Sequence, residues 1–317
     1  MWDFLRIWKK HVGFHEFTKA RRVSSSPLGP INPKNTLAEK ELSTSVLPSS
    51  PSAFSGRIGA STMDELKNTS DRLRDKSLFK EPPPKDDCPI CFVPMPSAYQ
   101  KIASFHPCCG KIVCKGCVHS CARSSTSGDY KCPFCNAEIE DDNKKRHMQM
   151  KKRVKANDVN TLTELGCFYF NGSFGLEQDC NKAFELMTRA AELGSIRALY
   201  AIGTAYFLGE GVDIDRENAK HYFELAAMAG HELARFDVGR MENDCGNAKR
   251  AIKHWVISAS AGHDNSMKAI RSSLEQGLVE RDEYKLTLKA YIDSSTEMRS
   301  ETRDDAARWM QTRVVRW

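Results

Sequence analysis

The sequence of 317 residues lacks an uninterrupted apolar run of about 18 residues, the length that a membrane-spanning helix needs. It also lacks a secretory apolar segment, so we expect an intracellular protein, in the cytoplasm or nucleus, whose cysteines stay reduced. Positive charge is only in modest excess, with a net charge of +6. An excess of this size does not by itself indicate nucleic-acid binding. The 40% of hydrophobic residues are enough to form a core.

The region before residue 85 lacks the composition of a packed domain. Serine and proline crowd residues 23–62, which predicts a disordered linker. Residues 63–80 are predicted to form a charged helix, and the proline run at 82–84 then ends it. We therefore predict a mostly disordered region over residues 1–84, with short helices.

Residues 1–22 differ from the linker because they mix aromatic and basic residues. Apolar side chains recur there at roughly helical spacing, at Trp2, Leu5, Trp8 and Val12. Such a segment could contact a membrane surface or act as an organelle-targeting peptide. Asp3 and Glu16 argue against a transit peptide, so we favour a partly ordered tail or a docking helix.

Cysteine, by contrast, is abundant, and nine of the 12 cysteines fall between Cys88 and Cys135. Eight of them form pairs, namely Cys88-x2-Cys91, Cys108-Cys109, Cys114-x2-Cys117 and Cys132-x2-Cys135. Two residues between cysteines let both sulfurs face one tetrahedral metal at about 2.3 Å. A segment of this size rarely buries enough apolar surface to fold alone, so zinc is expected to stabilise residues 85–138.

These spacings resemble a RING finger, a small ββα-like fold in which the first and third ligand pairs hold one Zn²⁺ ion and the second and fourth hold another. The resemblance implies two ions, with ligands at Cys88, Cys91, Cys114 and Cys117 for the first and at Cys132 and Cys135 for half of the second. A usual RING reads Cys-Gly-His where this chain has Lys111, and a protonated lysine cannot ligate zinc. Cys109 would be the third ligand of the second ion. The missing fourth ligand would then be Cys108, with His106 as the alternative.

The RING resemblance also implies a function. It implies a ubiquitin ligase, which docks a ubiquitin-conjugating enzyme without being covalently modified, and zinc held by four cysteines leaves no open position for metal catalysis. The family's docking positions correspond to Ile90 and Pro133. Active members often carry an arginine where this chain has Asn136, which leaves open the alternative of a non-catalytic zinc-binding scaffold.

Residues 139–157 form a basic segment of helical propensity. A run of this kind could be a nuclear localisation signal or a phosphate-binding stripe. Between residues 144 and 155 it lacks the aromatic side chains that stack on bases, so nucleic acid is not the favoured partner. We interpret the segment as a connector helix with a solvated face.

Beyond residue 158 the sequence repeats at intervals of 32 to 37 residues. Small residues recur at equivalent places, at Gly166, Gly203 and Gly239, at Ala183, Ala219 and Ala251, and at Gly194, Gly230 and Gly262. This pattern predicts stacked helix pairs that approach closely, with glycines ending the second helices. The motifs resemble Sel-1-like repeats, relatives of the tetratricopeptide repeat, most closely over residues 160–230, and the third repeat has a shortened internal loop.

The predicted architecture is therefore a multidomain chain, with a small RING followed by an all-α solenoid over residues 158–313 that ends in capping helices. This order of domains resembles that of a group of algal and diatom proteins, over roughly residues 85–292. Solenoids of this type usually present a binding surface, so we expect a protein substrate or adaptor on the repeats. The repeats contain no clustered catalytic set of residues.

Overall fold

A computed structural model describes Thr69 and residues 72–97, 102–124 and 131–314. The partly ordered tail or docking helix expected for residues 1–22 and the linker predicted for 23–62 lie outside the described residues. Among the helices that the structure does describe, none combines the length and the apolar character of a membrane span.

The cysteine module, which we define as residues 85–138, contains a hairpin followed directly by a helix. Strand β1 (Ala103–His106) pairs antiparallel with strand β2 (Lys111–Cys114), and helix α2 (Lys115–Ser124) begins where β2 ends. A helical segment that precedes the module, α1, covers residues 72–78. The apolar core of the module is small, with Cys88, Met95, Ala103, Val113 and Cys114 as its buried members.

Ten further helices follow the module within the described residues. They are α3 (Asn143–Lys155), α4 (Val159–Asn171), α5 (Cys180–Glu192), α6 (Ile196–Leu208), α7 (Arg216–Met228), α8 (Glu232–Asp244), α9 (Ala248–Ser260), α10 (Asp264–Glu275), α11 (Arg281–Glu297) and α12 (Glu301–Val314). Helices α4 to α9 form three successive pairs, and the linker between α8 and α9 is the short one, at residues 245–247 against 209–215 between α6 and α7. The all-α repeat solenoid that the sequence predicts is present.

Glycines end the second helix of each pair and a capping side chain starts the next helix. Gly194, Gly230 and Gly262 have φ angles of 92°, 98° and 89°, which glycine adopts without a Cβ penalty. The residue after the first of these glycines is Ser195, whose hydroxyl accepts a hydrogen bond from the backbone N–H of Ala198. After the other two, a histidine takes this capping role.

Helical glycines bring the two helices of each pair together. A Cβ atom on Gly203 would lie 2.6 Å from the Phe223 ring, and one on Gly239 would lie 2.6 Å from Nε1 of Trp255. The close helix approach expected from the repeated small residues is therefore confirmed, and in the second and third pairs the glycine of the first helix packs against an aromatic side chain of the second.

The segment before the cysteine module packs against the solenoid at helices α7, α8 and α9. Leu78 on α1 is fully buried, and the guanidinium of Arg235 donates a hydrogen bond to its carbonyl. Asp75 accepts hydrogen bonds from Arg250 on α9 at 2.6 and 2.7 Å. The ring centroids of Phe79 and His254 lie 4.7 Å apart. Residues 72–79 thus link the module to helices α7, α8 and α9.

The last helix docks on helix α2 of the module. A Cβ atom on Gly116 of α2 would meet the backbone nitrogen of Arg303 at 2.8 Å, so α12 approaches α2 as closely as a glycine permits. The rings of His119 and Trp309 extend this contact, with centroids 5.2 Å apart. The last helix is therefore joined to the module through α2.

Candidate metal centres and the repeat surface

The first thiol group lies between the turn from Cys88 to Phe92 and the start of α2. We call this turn the first knuckle, and the equivalent turn from Cys132 to Asn136 the last knuckle. It consists of Cys88, Cys91, Cys114 and Cys117, whose Sγ atoms all lie within 4.8 Å of one another. Cys88 and Cys117 are 4.0 Å apart at Sγ, and Cys91 and Cys114 are 3.8 Å apart. The backbone N–H of Cys114 points to the Cys88 sulfur at 3.5 Å, which favours a thiolate there.

The second thiol group joins the β1–β2 turn to the last knuckle. It consists of Cys108, Cys109, Cys132 and Cys135, again with all Sγ atoms within 4.8 Å. Cys109 and Cys132 are 3.7 Å apart at Sγ, and Cys108 and Cys135 are 3.5 Å apart. The structure thus places all eight cysteines of the sequence prediction in two groups of four.

The sulfur separations decide what these groups can hold. Four sulfurs at about 2.3 Å from one tetrahedral ion lie about 3.8 Å from each other. A disulfide would need about 2.05 Å, and all eight cysteines are free. Separations of 3.5 to 4.0 Å therefore match a shared cation in each group, so both groups could hold a metal ion.

The pKa values of the thiols also indicate that each group could hold a cation. Burial, together with the neighbouring Cys132, raises the pKa of the Cys109 thiol to about 11. Burial also opposes ionisation of Cys88, but hydrogen bonds from the backbone N–H groups of Cys114 and Cys91 lower the pKa of that thiol to about 7. Four thiolates this close repel one another, so a full set of anionic ligands requires a cation among them.

Two equivalent knuckles present cysteines to different groups. The carbonyl of Cys88 accepts a hydrogen bond from the N–H of Phe92 at 2.9 Å, and the carbonyl of Cys132 accepts one from the N–H of Asn136 at the same distance. Phe92 and Asn136 consequently take left-handed conformations, with φ angles of 55° and 59°. Asparagine tolerates this region better than arginine does, which gives a local reason for the departure at Asn136.

His106 lies outside both thiol groups. Its ring is buried, which lowers its pKa, and Nε2 has no hydrogen-bond partner in the part of the chain that is described. Its carbonyl instead accepts hydrogen bonds from the N–H groups of Cys109 and Gly110, at 3.2 and 2.8 Å. These bonds form the turn that presents Cys108 and Cys109.

The tips of the two knuckles carry apolar side chains. Ile90 and Pro133, the positions implied by the RING resemblance, are both half-buried. Their neighbours are more accessible, because Phe92 is 73% exposed and Phe134 is 43% exposed. The sequence analysis missed these two phenylalanines, although each stands directly beside a predicted ligand or docking position. The ammonium group of Lys111 lies 5.7 Å from the centroid of the Phe134 ring.

A connector side chain reaches the second thiol group. Arg153, on α3, donates hydrogen bonds to the carbonyl oxygens of Pro107 and Cys108, at 3.1 and 2.6 Å. It also lies 3.6 Å from a carboxylate oxygen of Asp158, the N-cap of α4. The basic helix predicted for residues 139–157 is therefore more than a solvated face, because it ties the second group to the first repeat.

The repeats enclose one further candidate site, a cavity of about 440 Å³. Its lining comes mostly from helices α4, α5 and α6 and from the first turns of α8 and α10. Apolar side chains such as Phe184 and Met187 form part of its wall, and a salt bridge between Glu164 and Arg197 lies on the same surface, with 2.5 Å between the charged atoms.

A known repeat family matches part of the solenoid. The model of the Sel1 repeat matches residues 161–195 and 196–231. Chitin synthase regulatory factor 4 of Schizosaccharomyces pombe is 27% identical over 128 residues, which make up 40% of this chain and 20% of that protein. The chain thus spans about a fifth of the length of this curated relative.

Two solved structures are similar to about half of this chain. A Sel1 repeat protein from Oxalobacter formigenes is 24% identical, with a TM-score of 0.43, over 50% of this chain and 67% of that one. The antigen c5321 of uropathogenic Escherichia coli, which has an SLR fold, is 27% identical, with a TM-score of 0.41, over 48% of this chain and 33% of that one. The family match and the helix pairs that it covers identify residues 161–231 as two consecutive Sel1 repeats.

Proposed function

We propose that this chain is a zinc-binding RING-type ubiquitin ligase. The cysteine module docks a ubiquitin-conjugating enzyme, and the Sel1 repeats recruit a protein substrate or adaptor. The observation that carries the proposal is the interleaving of the two thiol groups, because the first and third cysteine pairs share one group and the second and fourth share the other. This is the ligand order that the RING resemblance implies.

The donor set favours zinc in a structural role. All-cysteine tetrahedral sites of this type are closed, and Zn²⁺ in them supplies folding free energy of roughly 10 to 16 kcal/mol. The small apolar core of the module, in which Met95 and Val113 are among the few buried residues, needs such a contribution. Cys108 rather than His106 completes the second set, since its Sγ lies 3.5 Å from that of Cys135.

The knuckle tips fit a protein partner. Ile90, Phe92 and Phe134 place partly or largely exposed apolar surface beside the two proposed zinc sites. Exposed apolar side chains on a rigid support are typical of binding hot spots, where one truncation costs about 2 kcal/mol or more. The proposed module acts by holding the conjugating enzyme there, and no residue of this chain forms a bond to ubiquitin.

Discharge of ubiquitin from a panel of loaded conjugating enzymes tests the proposal. The wild-type chain should accelerate discharge by at least one enzyme, and Ile90→Ala should reduce the acceleration by about 30-fold, as expected for a hot spot. Metal analysis should find two zinc ions per chain in both proteins. Leu286→Ala, at a position on α11 that is 70% exposed, is the matched control and should discharge normally.

Lys111 and Asn136 support a second candidate function, a zinc-binding scaffold without ligase activity. Both residues depart from the pattern of active RING fingers, and the left-handed conformation at residue 136 disfavours the usual arginine. A scaffold carrying two zinc ions would discharge no member of the panel. Its repeat partner would bind equally well to the wild-type chain and to Ile90→Ala.

A further inference from the structure

The repeat cavity has an apolar wall large enough for aromatic side chains. Phe184, Met187 and Ala205 line it and are each nearly fully buried in the helix pairs. A volume of about 440 Å³ lies within the range of cavities that hold ligands rather than single waters. Tyr200 and Cys167 continue the lining along the first helices.

Carboxylates outnumber the permanently charged cations in the lining of this cavity. Four carboxylates line it, at Glu164, Glu210, Glu232 and Asp264, against two permanently charged cations, at Arg197 and Lys268. His231 does not add positive charge near neutral pH, because burial lowers its pKa to about 4. The surface therefore combines an apolar wall with an excess of negative charge, which fits a segment that is both aromatic and basic.

Residues 1–22 of the same chain have this composition. They contain the aromatic residues Trp2, Phe4, Trp8, Phe14 and Phe17, and six lysines and arginines against two acidic residues. Trp2, Leu5, Trp8 and Val12 recur at helical spacing, so one face of a helix would carry the two tryptophan rings.

The chain is long enough to bring this segment to the cavity. Residues 23–68 separate it from the described part, and a flexible chain of that length spans roughly 35 to 40 Å. Helix α1 packs against the second helices, about two helix layers or roughly 20 Å from a cavity lined mainly by the first helices. At this tether length the effective concentration is in the millimolar range, so a weak contact suffices.

We propose that residues 1–22 dock in the repeat cavity of the same chain, with aromatic side chains against Phe184 and Met187 and basic side chains toward Glu232 and Asp264. The segment is then an intramolecular ligand of the Sel1 repeats, and a partner that uses this cavity has to displace it. This inference does not depend on zinc or on ligase activity.

Photo-crosslinking in the full-length chain tests the docking. Trp8 is replaced by benzoyl-phenylalanine, the protein is irradiated as a monomer, and cross-linked peptides are mapped by mass spectrometry. Cross-links within one chain to α5 and α6 are expected. The same crosslinker in place of Phe54, in the serine- and proline-rich linker, is the matched control and should give no enrichment at these helices.

A charge variant tests the contribution of the carboxylates to the docking. Combined Glu232→Gln and Asp264→Asn should lower the cross-link yield several-fold at low salt, whereas Asp282→Asn, on the exposed start of α11, should leave it unchanged. Circular dichroism shows whether the variants keep their helices. Cross-links from position 8 that form only between two chains, only to added phosphatidylserine vesicles, or only to other surfaces would overturn the proposal.

Discussion

At the residue scale, His254 is a histidine that the fold keeps neutral. It is fully buried on α9, and neither ring nitrogen has a hydrogen-bond partner among the described residues. Burial, with a smaller effect of the Arg235 guanidinium, lowers its pKa to about 3. A histidine in the unfolded chain has a pKa of about 6.5, so acid favours the unfolded state between these two values.

This difference predicts a specific acid sensitivity. Stability from neutral His254 is complete above pH 6.5 and is lost as the pH falls toward 3. Between pH 7 and pH 5 the wild-type chain should lose about 2 kcal/mol more unfolding free energy than His254→Leu, which cannot take up the proton. Urea unfolding at the two pH values measures this, and the comparison cancels acid effects shared by both proteins. Equal losses would contradict the prediction.

At the element scale, the helical glycines of the repeats are not equivalent. A Cβ on Gly203 would meet the rigid ring of Phe223 at 2.6 Å and the carbonyl of Ala219 at 3.2 Å. A Cβ on Gly166 would instead meet Cε of Met187 at 2.9 Å, the end of a flexible side chain that can move. The same substitution should therefore have different consequences in the first and second repeats.

Gly203→Ala should destabilise the chain by about 1 to 3 kcal/mol, because overpacking exceeds the gain in helix propensity. Gly166→Ala should change stability by less than about 1 kcal/mol, since Met187 can adjust and alanine favours the helix. The free energies of unfolding from urea titrations, compared with the wild type, give the order. A larger loss for Gly166→Ala than for Gly203→Ala would refute this account of the packing.

The elements show what the sequence could and could not reveal. Paired cysteines and recurring glycines are local or periodic signals, so the thiol groups and the helix pairs were predictable. The histidine caps had only a positional signal in the sequence, since His231 follows Gly230 as Ser195 follows Gly194. In the structure, Nδ1 of His231 accepts a hydrogen bond from the N–H of Ala234 at 3.2 Å. A capping histidine is easily overlooked, since serine and aspartate usually have this role.

At the scale of the whole molecule, contacts distant in sequence join the two parts of the chain. Arg303 on α12 donates hydrogen bonds to the carbonyls of Val93 and Pro94, at 2.8 and 2.7 Å, in the first knuckle. Arg153 reaches the second thiol group from α3. No periodicity or spacing connects such residues, so the sequence analysis treated the module and the solenoid as separate units and missed their contact.

These contacts predict that a cation bound by the first thiol group would stabilise the last helix. Arg303 is only 9% exposed, and its guanidinium also lies 4.0 Å from Sγ of Cys91. Without a cation in the first thiol group, the four thiols would no longer fix Val93 and Pro94, and α12 would be held less firmly on the module. Hydrogen exchange after chelation should therefore show at least about tenfold lower protection in α12, with α6 and α7 unchanged.

Substitutions separate this effect from general unfolding. Cys88→Ser should reproduce the loss of protection in α12 without a chelator, because it removes one of the four sulfurs of the first group. Cys245→Ser, at an exposed cysteine of the solenoid, is the matched control and should leave exchange in α12 as in the wild type. If α12 kept its full protection in Cys88→Ser and after chelation, the first thiol group would have no part in holding α12 on the module.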